Sequence, residues 1–145
     1  MVIREYRSED LNAVAAIMDQ GRLQELAIVG LERYAVPFKQ APYFSYFFEA
    51  NVFVAESDQK VVGVVSFTAD NLGFLYVSRA FQGRGLGGKL LDFALEKMNR
   101  PATINVFTKN VAAQKLYQSR GFKLVGRIRD DWDGTQFEED KLELE

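Results

Sequence analysis

The 145-residue sequence contains no cysteine and no histidine. Without cysteine, the chain can form no disulfide, no thiolate nucleophile and no cysteine-ligated zinc or iron–sulfur site. Without histidine, it lacks the most common general base and the most common metal ligand of proteins. Any chemistry must therefore rely on carboxylates, hydroxyls, amides, lysines or backbone groups, and we expect no bound metal.

The chain also has little excess charge and no long apolar run. Eighteen basic side chains stand against twenty acidic ones, which gives a net charge of −2 and a pI near 5.3. This balance provides no general attraction to nucleic acid or to an anionic membrane, and no apolar run approaches the ~18 residues of a membrane span. The first residues lack the pattern of a secretion signal, so we expect a cytoplasmic protein that binds neither nucleic acid nor membrane.

What is present is typical of a single globular domain over residues 1–145, with 48% hydrophobic and 26% charged residues. Alternating polarity predicts a first strand over Val2–Arg7, followed by Ser8 as the N-cap of a helix that Gly21 ends. A second helix is predicted over Leu23–Arg33, and a short one over Tyr43–Ala50.

The rest of the chain alternates strands and helices. Predicted strands cover Asn51–Glu56, Val61–Thr68, Leu72–Val77, Thr103–Phe107, Phe122–Trp132 and Gln136–Leu144, and predicted helices cover Leu86–Arg100 and Asn110–Arg120. The strands in the middle of the chain are strongly apolar, as expected for a sheet covered on both faces. The pattern therefore indicates an α/β domain with a mixed sheet and strand–helix–strand crossovers.

A glycine-rich run separates the last of these apolar strands from the helix that follows. Because glycine costs about 1 kcal/mol in a helix relative to alanine, the run indicates that backbone approaches a ligand such as a phosphate. Gly83, Gly85 and Gly88 satisfy the dinucleotide pattern G-x-G-x-x-G, but the next strand does not end in the acidic residue that this fold requires. The run fits a P-loop through Lys89, but Leu90 stands where serine or threonine must bind magnesium. Both interpretations therefore fail on context.

A third pattern, Gln/Arg-x-x-Gly-x-Gly/Ala, is met by Gln82, Gly85 and Gly87. It resembles the coenzyme A pyrophosphate loop of the GNAT superfamily of N-acyltransferases. The second signature of that family is similar to the segment Asn110-x-x-Ala113-x-x-x-Tyr117-x-x-x-Gly121-Phe122. The order of elements also resembles the family over almost the whole chain. The resemblance implies a GNAT-like fold, with about seven strands in a central mixed, splayed sheet flanked by about four helices.

The resemblance implies acetyl-CoA as the acyl donor. It also implies direct transfer, without an acyl-enzyme, to a primary amine of a small molecule or peptide. The implied coenzyme A contacts are Leu75, Tyr76, Val77, Gln82, Gly83, Arg84, Gly85, Leu86, Gly87, Gly88 and Asn110. Within this set, the Val77 N–H is expected to donate to the thioester oxygen. Arg84 is expected to add a charge beside the pyrophosphate, and Asn110 to cap its helix.

Tyr117 is implied as the general acid that protonates the leaving thiolate, although its spacing alone also fits an ordinary amphipathic helix. Some GNAT enzymes carry a glutamate base five residues before the signature asparagine. Here that position is Asn105, which can orient a water or the acceptor but cannot accept a proton. The base is left open among Asp70, Glu56, Glu32 and deprotonation before binding. An alternative function is therefore a non-catalytic acyl-CoA-binding sensor or regulatory module.

Two clusters of residues bear on the acceptor. Seven of the nineteen aromatic residues fall within 34–48, and they predict either a wall of the acceptor pocket or part of the core. Eight of the twenty acidic residues lie in the last sixteen positions, where they predict either steering of a cationic amine or a solvated hairpin face. The aromatic residues are Tyr34, Phe38, Tyr43, Phe44, Tyr46, Phe47 and Phe48, and the acidic ones are Asp130, Asp131, Asp133, Glu138, Glu139, Asp140, Glu143 and Glu145. Either a monomer or a homodimer is compatible with the sequence.

Overall fold

The structure, a computed structural model, describes residues 1–145 and contains seven strands and four α-helices. The elements are β1 (Val2–Glu5), α1 (Leu11–Ile28), α2 (Phe44–Phe47), β2 (Asn51–Ser57), β3 (Lys60–Phe67), β4 (Leu72–Val77), α3 (Leu86–Lys97), β5 (Ala102–Phe107), α4 (Val111–Ser119), β6 (Lys123–Trp132) and β7 (Thr135–Leu144). Short 3₁₀ turns lie between several of them. None of the helices has both the length and the apolar character needed to span a bilayer.

The strands form two antiparallel sheets that meet at one point. The first sheet has the order β1-β2-β3-β4 and the second the order β5-β7-β6. A single parallel bridge joins Asn71 to Thr103, where the Thr103 N–H also donates to the Asp70 carbonyl at 2.8 Å. Beyond this bridge β4 and β5 separate, because no further ladder bond connects them. The prediction of a splayed mixed sheet is confirmed, and the splay opens a gap between β4 and β5.

Apolar side chains pack on both faces of the first sheet, as its continuous apolar strands predict. On one face a cluster of 17 buried residues joins β3, α3 and β5, and it includes Tyr117 of α4. On the other face a cluster of 9 buried residues joins β2 and β3 to α1 and to the aromatic segment around α2. The gap between β4 and β5 is therefore bordered by α4 on one face of the sheet (the α4 side) and by α1 on the other face (the α1 side).

The first helix differs from its prediction at both ends. Ser8 does not cap it; the chain enters α1 through a 3₁₀ turn in which the Asp10 carboxylate accepts the Arg7 N–H at 2.8 Å. Gly21 does not end it, and the two predicted helices are one. A Cβ at Gly21 would lie 2.4 Å from Cδ1 of Tyr76, so glycine here lets the Tyr76 ring pack directly under α1. The sequence-based prediction was wrong because a close tertiary approach accounts for this glycine, and not a chain reversal.

Other boundaries move by a few residues. β1 ends at Glu5, and α2 covers only Phe44–Phe47. The turn between β6 and β7 places Asp133 and Gly134 at φ values of 52° and 90°. Both values lie in the left-handed region that two-residue hairpin turns require.

Candidate active site

A cavity of about 770 Å³ fills the gap between β4 and β5. Its walls come from α1, β4, the glycine-rich loop, β5, α4 and the β6–β7 hairpin. Most of the predicted site residues border it, namely Leu75, Tyr76, Val77, Gln82, Gly83, Gly85, Leu86, Gly87, Asn105, Asn110 and Tyr117. The splay therefore brings two distant sequence motifs and the strand before them to one site.

The edge of β4 presents unpaired backbone groups to the cavity. The N–H of Ser78 donates to the Val62 carbonyl of β3 at 2.9 Å. Because neighbouring amides of a strand point to opposite edges, the N–H groups of Val77 and Leu75 point away from β3 and toward the gap. Tyr76 contributes its side chain instead, because its backbone faces Val64 in the β3 ladder.

The glycine-rich loop ends in an arrangement of backbone N–H groups that suits an anion. Gly83 and Gly85 adopt φ values of 77° and 80°, and no atom lies within 4 Å of a Cβ placed on either. These glycines are therefore required for their left-handed backbone and not for lack of space. Gly85 caps α3, so the first N–H groups of that helix and its positive dipole end point to the loop.

Two of the predicted coenzyme A residues lie outside the cavity lining. The Arg84 guanidinium stacks over the ring of Phe81, with 5.1 Å between its Cζ and the ring centroid. A Cβ on Gly88 would lie 2.5 Å from a guanidinium nitrogen of Arg120, which is bound to Asp92. Gly88 thus allows α3 and the end of α4 to approach each other.

The other predicted motif brings Asn110 and Tyr117 to the α4 side of the cavity. The Asn110 side chain accepts the Ala113 N–H at 3.2 Å, which confirms the predicted N-cap. Tyr117 is only 6% exposed, and its ring packs edge-on against Phe122. Its hydroxyl has no protein partner, and because no fully buried polar side-chain atom is unpaired, this hydroxyl opens into the cavity. Burial, together with the charge of Glu25, raises its pKa.

On the α1 side, three polar residues meet at the cavity. Glu25 Oε1 accepts a hydrogen bond from Arg22 at 2.5 Å and one from the Tyr76 hydroxyl at 3.1 Å. Burial raises the pKa of Tyr76 well above its ordinary value, and the nearby Glu25 charge acts in the same direction. The side chains of Arg22, Glu25 and Tyr76 therefore form one ordered charged group.

Across the cavity from this group stands Glu139 of β7, which the sequence analysis included only in the acidic C-terminal run. It lies opposite Phe107 of β5 in the ladder and is half-buried. No protein group donates to its carboxylate. Burial raises the pKa of Glu139, opposed by the charge of Arg22 and reinforced by those of Glu25 and Asp130. The signal that could have found it is the two-residue period of a strand, which places Glu139 on the same face as the buried Phe137.

Asn105 borders the cavity, whereas the carboxylates considered as bases do not. Asn105 pairs with Lys141 of β7. Glu56 is bound to Arg4 on the opposite edge of the first sheet, at 2.6 Å. Asp70 and Glu32 are exposed and contribute nothing to the lining. These three predicted candidates for the base are therefore not supported.

The aromatic segment 34–48 packs partly into the core, leaves Tyr46 exposed and does not line the cavity. Phe38 and Phe47 are buried at 1% and 3% exposure, and none of the seven rings lines the site. The cavity has aromatic walls nonetheless, from Phe74, Tyr76, Phe81, Phe107, Tyr117, Trp132 and Phe137. Of the eight C-terminal acidic residues, Glu139 alone lines this cavity.

Comparisons with known proteins agree with this architecture. The family model described as an acetyltransferase (GNAT) domain matches residues 49–124. The ribosomal-protein-alanine N-acetyltransferase from Brucella melitensis superposes with a TM-score of 0.80 at 22% identity, over 99% of both chains. The protein yncA from Salmonella typhimurium, solved with its cofactor acetyl-CoA, superposes with a TM-score of 0.77 at 23% identity, over 99% of this chain and 92% of its own.

A third similar structure is the GCN5-related N-acetyltransferase from Rhodopseudomonas palustris, with a TM-score of 0.80 at 23% identity over 98% of this chain and 93% of its own. No curated protein sequence shows significant similarity to the chain. At these identities the superpositions establish the fold.

Proposed function

Because this chain belongs to the GNAT acetyltransferase family, we propose that it transfers an acetyl group from acetyl-CoA to a primary amine of a small molecule or peptide. The observation that carries this proposal is the cavity itself. It connects a glycine-rich helix N-terminus, an unpaired strand edge and a buried tyrosine hydroxyl. Acetyl-CoA, which is the cofactor in the yncA structure, would supply the acetyl group as an activated thioester.

The residues around the cavity fit such a donor. The backbone N–H groups from Gly83 to Gly87 would hold the pyrophosphate, because consecutive free amides at a helix N-terminus bind phosphate. Arg84 stands at the rim of this loop and would add a positive charge. The free N–H groups of Leu75 and Val77 on the edge of β4 would donate to the pantetheine arm, as those of a strand edge do to an added strand. The Val77 carbonyl already accepts from the Gln82 side chain at 3.0 Å. Asn110 borders the same groove from α4.

The Val77 N–H is the donor placed to stabilise negative charge on the thioester oxygen. It points into the gap, where β3 cannot compete for it, and it is fixed by a strand whose opposite edge pairs with β3 on both sides of Val77. A rigid donor in a cavity of low dielectric stabilises developing charge without reorganising during the reaction.

Tyr117 is placed to give its proton to the leaving sulfur. Its raised pKa keeps the hydroxyl protonated throughout the neutral range. A protonated hydroxyl beside the leaving sulfur could then act as the general acid. The absence of cysteine and histidine agrees with the direct transfer that the family resemblance implies. The amine would attack the carbonyl carbon, a C–N bond would form and the C–S bond would break.

The proposal is tested by binding and turnover together. Trp132 is the only tryptophan of the chain and lines the cavity, so its fluorescence reports on occupancy. We expect acetyl-CoA and coenzyme A, but not ATP or NAD, to change this fluorescence and to raise the melting temperature.

Release of free thiol is then followed with a panel that contains phenethylamine, spermidine and a tripeptide with a free N-terminus. Turnover of any of them supports the enzyme, whereas tight acetyl-CoA binding without turnover favours the non-catalytic sensor. Binding of ATP or NAD alone contradicts the proposal.

A further inference from the structure

The proposed transfer requires a group that accepts a proton from the acceptor. An alkylamine with an ordinary pKa near that of lysine, ~10.4, is almost entirely protonated at pH 7 and cannot attack a carbonyl carbon. Asn105 borders the cavity, but its side-chain amide cannot accept a proton. Only two carboxylates line the cavity, Glu25 and Glu139.

Glu25 is already occupied by other donors. Its Oε1 accepts hydrogen bonds from Arg22 and Tyr76. These two bonds already engage the carboxylate in positioning Arg22 and Tyr76, so Glu25 is less free than an unpartnered carboxylate to bond to an incoming ammonium.

Glu139 has the opposite surroundings. It has no hydrogen-bond or ion-pair partner, it is half-buried, and it faces the cavity beside Phe107 and Phe137. The charged groups that face it are Arg22 and Glu25 from α1 and Asp130 from β6. Burial and the two acidic neighbours raise its pKa toward neutrality, which is the direction that improves a general base.

The two sides of the gap also separate an acid from a base. Tyr117 lies with α4 on one face of the splayed sheet. On the other face Tyr76 and Glu25 lie with α1, and Glu139 faces them from the side of β7 whose Phe137 packs against Leu26. An amine that enters between α1 and β7 would meet Glu139, and the thiolate would leave toward Tyr117. We propose that Glu139 is the general base that deprotonates the acceptor ammonium, directly or through one water. This inference rests on the proposed function.

At the nitrogen of the protonated acceptor, one N–H bond breaks and its electron pair stays on nitrogen. The proton forms an O–H bond on the Glu139 carboxyl, which later releases it to water. The second proton that the nitrogen loses after C–N bond formation also goes to solvent, while Tyr117 protonates the sulfur and is reprotonated from water. The net reaction releases one proton per acetyl group transferred to an ammonium.

The test compares Glu139→Gln with Glu138→Gln. Glu138 is the neighbour on the other face of β7, bound to Arg129 at 3.1 Å and absent from the cavity lining. With the best amine of the panel, kcat/KM of E139Q at pH 7 is expected to fall about 10²–10⁴-fold, while E138Q stays within about twofold of the wild type. Because E139Q can use only free amine, its deficit should narrow as pH rises toward the pKa of the acceptor. The deficit of E139Q should also nearly vanish for 2,2,2-trifluoroethylamine or an equally fluorinated analogue of that amine, which is mostly unprotonated at pH 7.

Two measurements without turnover separate this role from a structural one. In the ligand-free protein, carboxyl NMR titration should show Glu139 with a pKa above that of an ordinary glutamate. The affinity for acetyl-CoA and the melting temperature of E139Q should match those of E138Q.

Three results would overturn the proposal. If E139Q keeps the wild-type kcat and the wild-type fall in rate on the acidic side of the pH–rate profile (the acidic limb), Glu139 is not the base. If only KM rises, with kcat and the acidic limb unchanged, Glu139 merely binds the ammonium. If the wild type binds acetyl-CoA but acetylates no amine, the proposed function fails and the base with it, which is a different pattern from a defect confined to E139Q.

Discussion

The two ends of the cavity are built from different parts of the chain. At the loop end, consecutive backbone groups from Gly83 to Gly87 and the N-terminus of α3 form the site. At the opposite end, side chains from α1, β4 and β7 converge, with Glu25 and Glu139 on facing walls. The first end uses the same dipoles whatever the neighbouring side chains are, whereas the second depends on the identity of each residue.

This difference explains how one fold can bind the same acyl donor while the acceptor substrate changes from protein to protein. Backbone amides recognise a phosphate through geometry that only the main-chain conformation controls. Charged and aromatic side chains recognise an acceptor through chemistry that a single substitution changes. Tyr117 and Val77 stand between the two ends, where the donor and the acceptor must meet. Substitutions at the loop end should therefore affect the affinity for the donor, and substitutions at the opposite end should affect turnover of the acceptor. Substitutions of residues between the two ends should affect only the chemical step.

The largest effect is expected for Tyr117→Phe, which removes one hydroxyl from the middle of the cavity. Loss of the general acid should lower kcat by about 10²–10⁴-fold. The affinity for acetyl-CoA, measured through Trp132 fluorescence, should change little. Because the hydroxyl has no protein partner, the free energy of unfolding should stay within about 0.5 kcal/mol of the wild type.

Tyr46→Phe is the matched control, since Tyr46 is 58% exposed and distant from the cavity. It should leave kcat unchanged. A Tyr117→Phe enzyme with the kcat of the control would exclude Tyr117 as the acid and leave the sulfur to be protonated by water.

A smaller effect, concentrated at the acceptor end, is expected for Gly21→Ala. The new Cβ would lie 2.4 Å from the Tyr76 ring, whose Cβ and Cγ are too close to the backbone to move away freely. Overpacking of this kind costs about 1–3 kcal/mol, partly offset by the roughly 1 kcal/mol by which alanine favours a helix. Displacement of Tyr76 should also disturb Glu25, so the acceptor KM should rise more than the Kd for acetyl-CoA.

Leu23→Ala, on the exposed side of the same helix, provides the comparison for Gly21→Ala. Leu23 is 48% exposed and should tolerate alanine within about 0.5 kcal/mol. Urea unfolding of both variants would measure this. Equal stability of Gly21→Ala and the wild type would show that Tyr76 can withdraw from α1 without cost.

The same contrast decides how much of the molecule could be predicted from its sequence. The Asn110 cap was accessible because it depends on a short contiguous pattern. The splayed sheet and the positions of the loop and Tyr117 at the cavity were accessible because two motifs resemble those of a known family. Gly21 was misinterpreted because its partner, Tyr76, is distant in sequence. Glu139 was not singled out because its neighbours come from α1 and β5, and only the ladder register shows which face it occupies.

The loop end is tested by Gly85→Ala, with Gly87→Ala as control. At φ = 80° an L-residue is strained by roughly 1–2 kcal/mol, so Gly85→Ala should lose about tenfold in affinity for coenzyme A, with little change in the acceptor KM. Gly87 lies within α3, and a Cβ there would be in ordinary contact, 3.8 Å from Leu116. Alanine at this position should keep the affinity and stabilise the helix by up to about 1 kcal/mol. Isothermal titration of both variants would show whether backbone conformation, and not glycine content, makes the site.

The smallest effect is expected for Asp140→Asn, which probes the connection between the two ends. Asp140 of β7 is buried, and its carboxylate accepts hydrogen bonds from Arg127 at 2.7 Å, Thr108 at 2.7 Å and Gln114 of α4 at 2.9 Å. These bonds, the one from Arg127 first, lower the pKa of Asp140 in the folded state. A carboxyl with a lowered pKa stabilises the fold above its ordinary pKa near 4 and ceases to do so as pH falls through the folded value.

At pH 7 we therefore expect Asp140→Asn to lose only about 1 kcal/mol of stability. The loss is small because about half of the Arg127 side chain is exposed, so water screens its attraction to Asp140. Below pH 4 the wild type should progressively lose this advantage as pH falls through the lowered pKa of Asp140, and the two unfolding curves should converge. Urea unfolding at both pH values would measure the difference. A gap that stays constant on acidification would mean that Asp140 holds β7 to α4 through the shape of its hydrogen bonds and not through its charge.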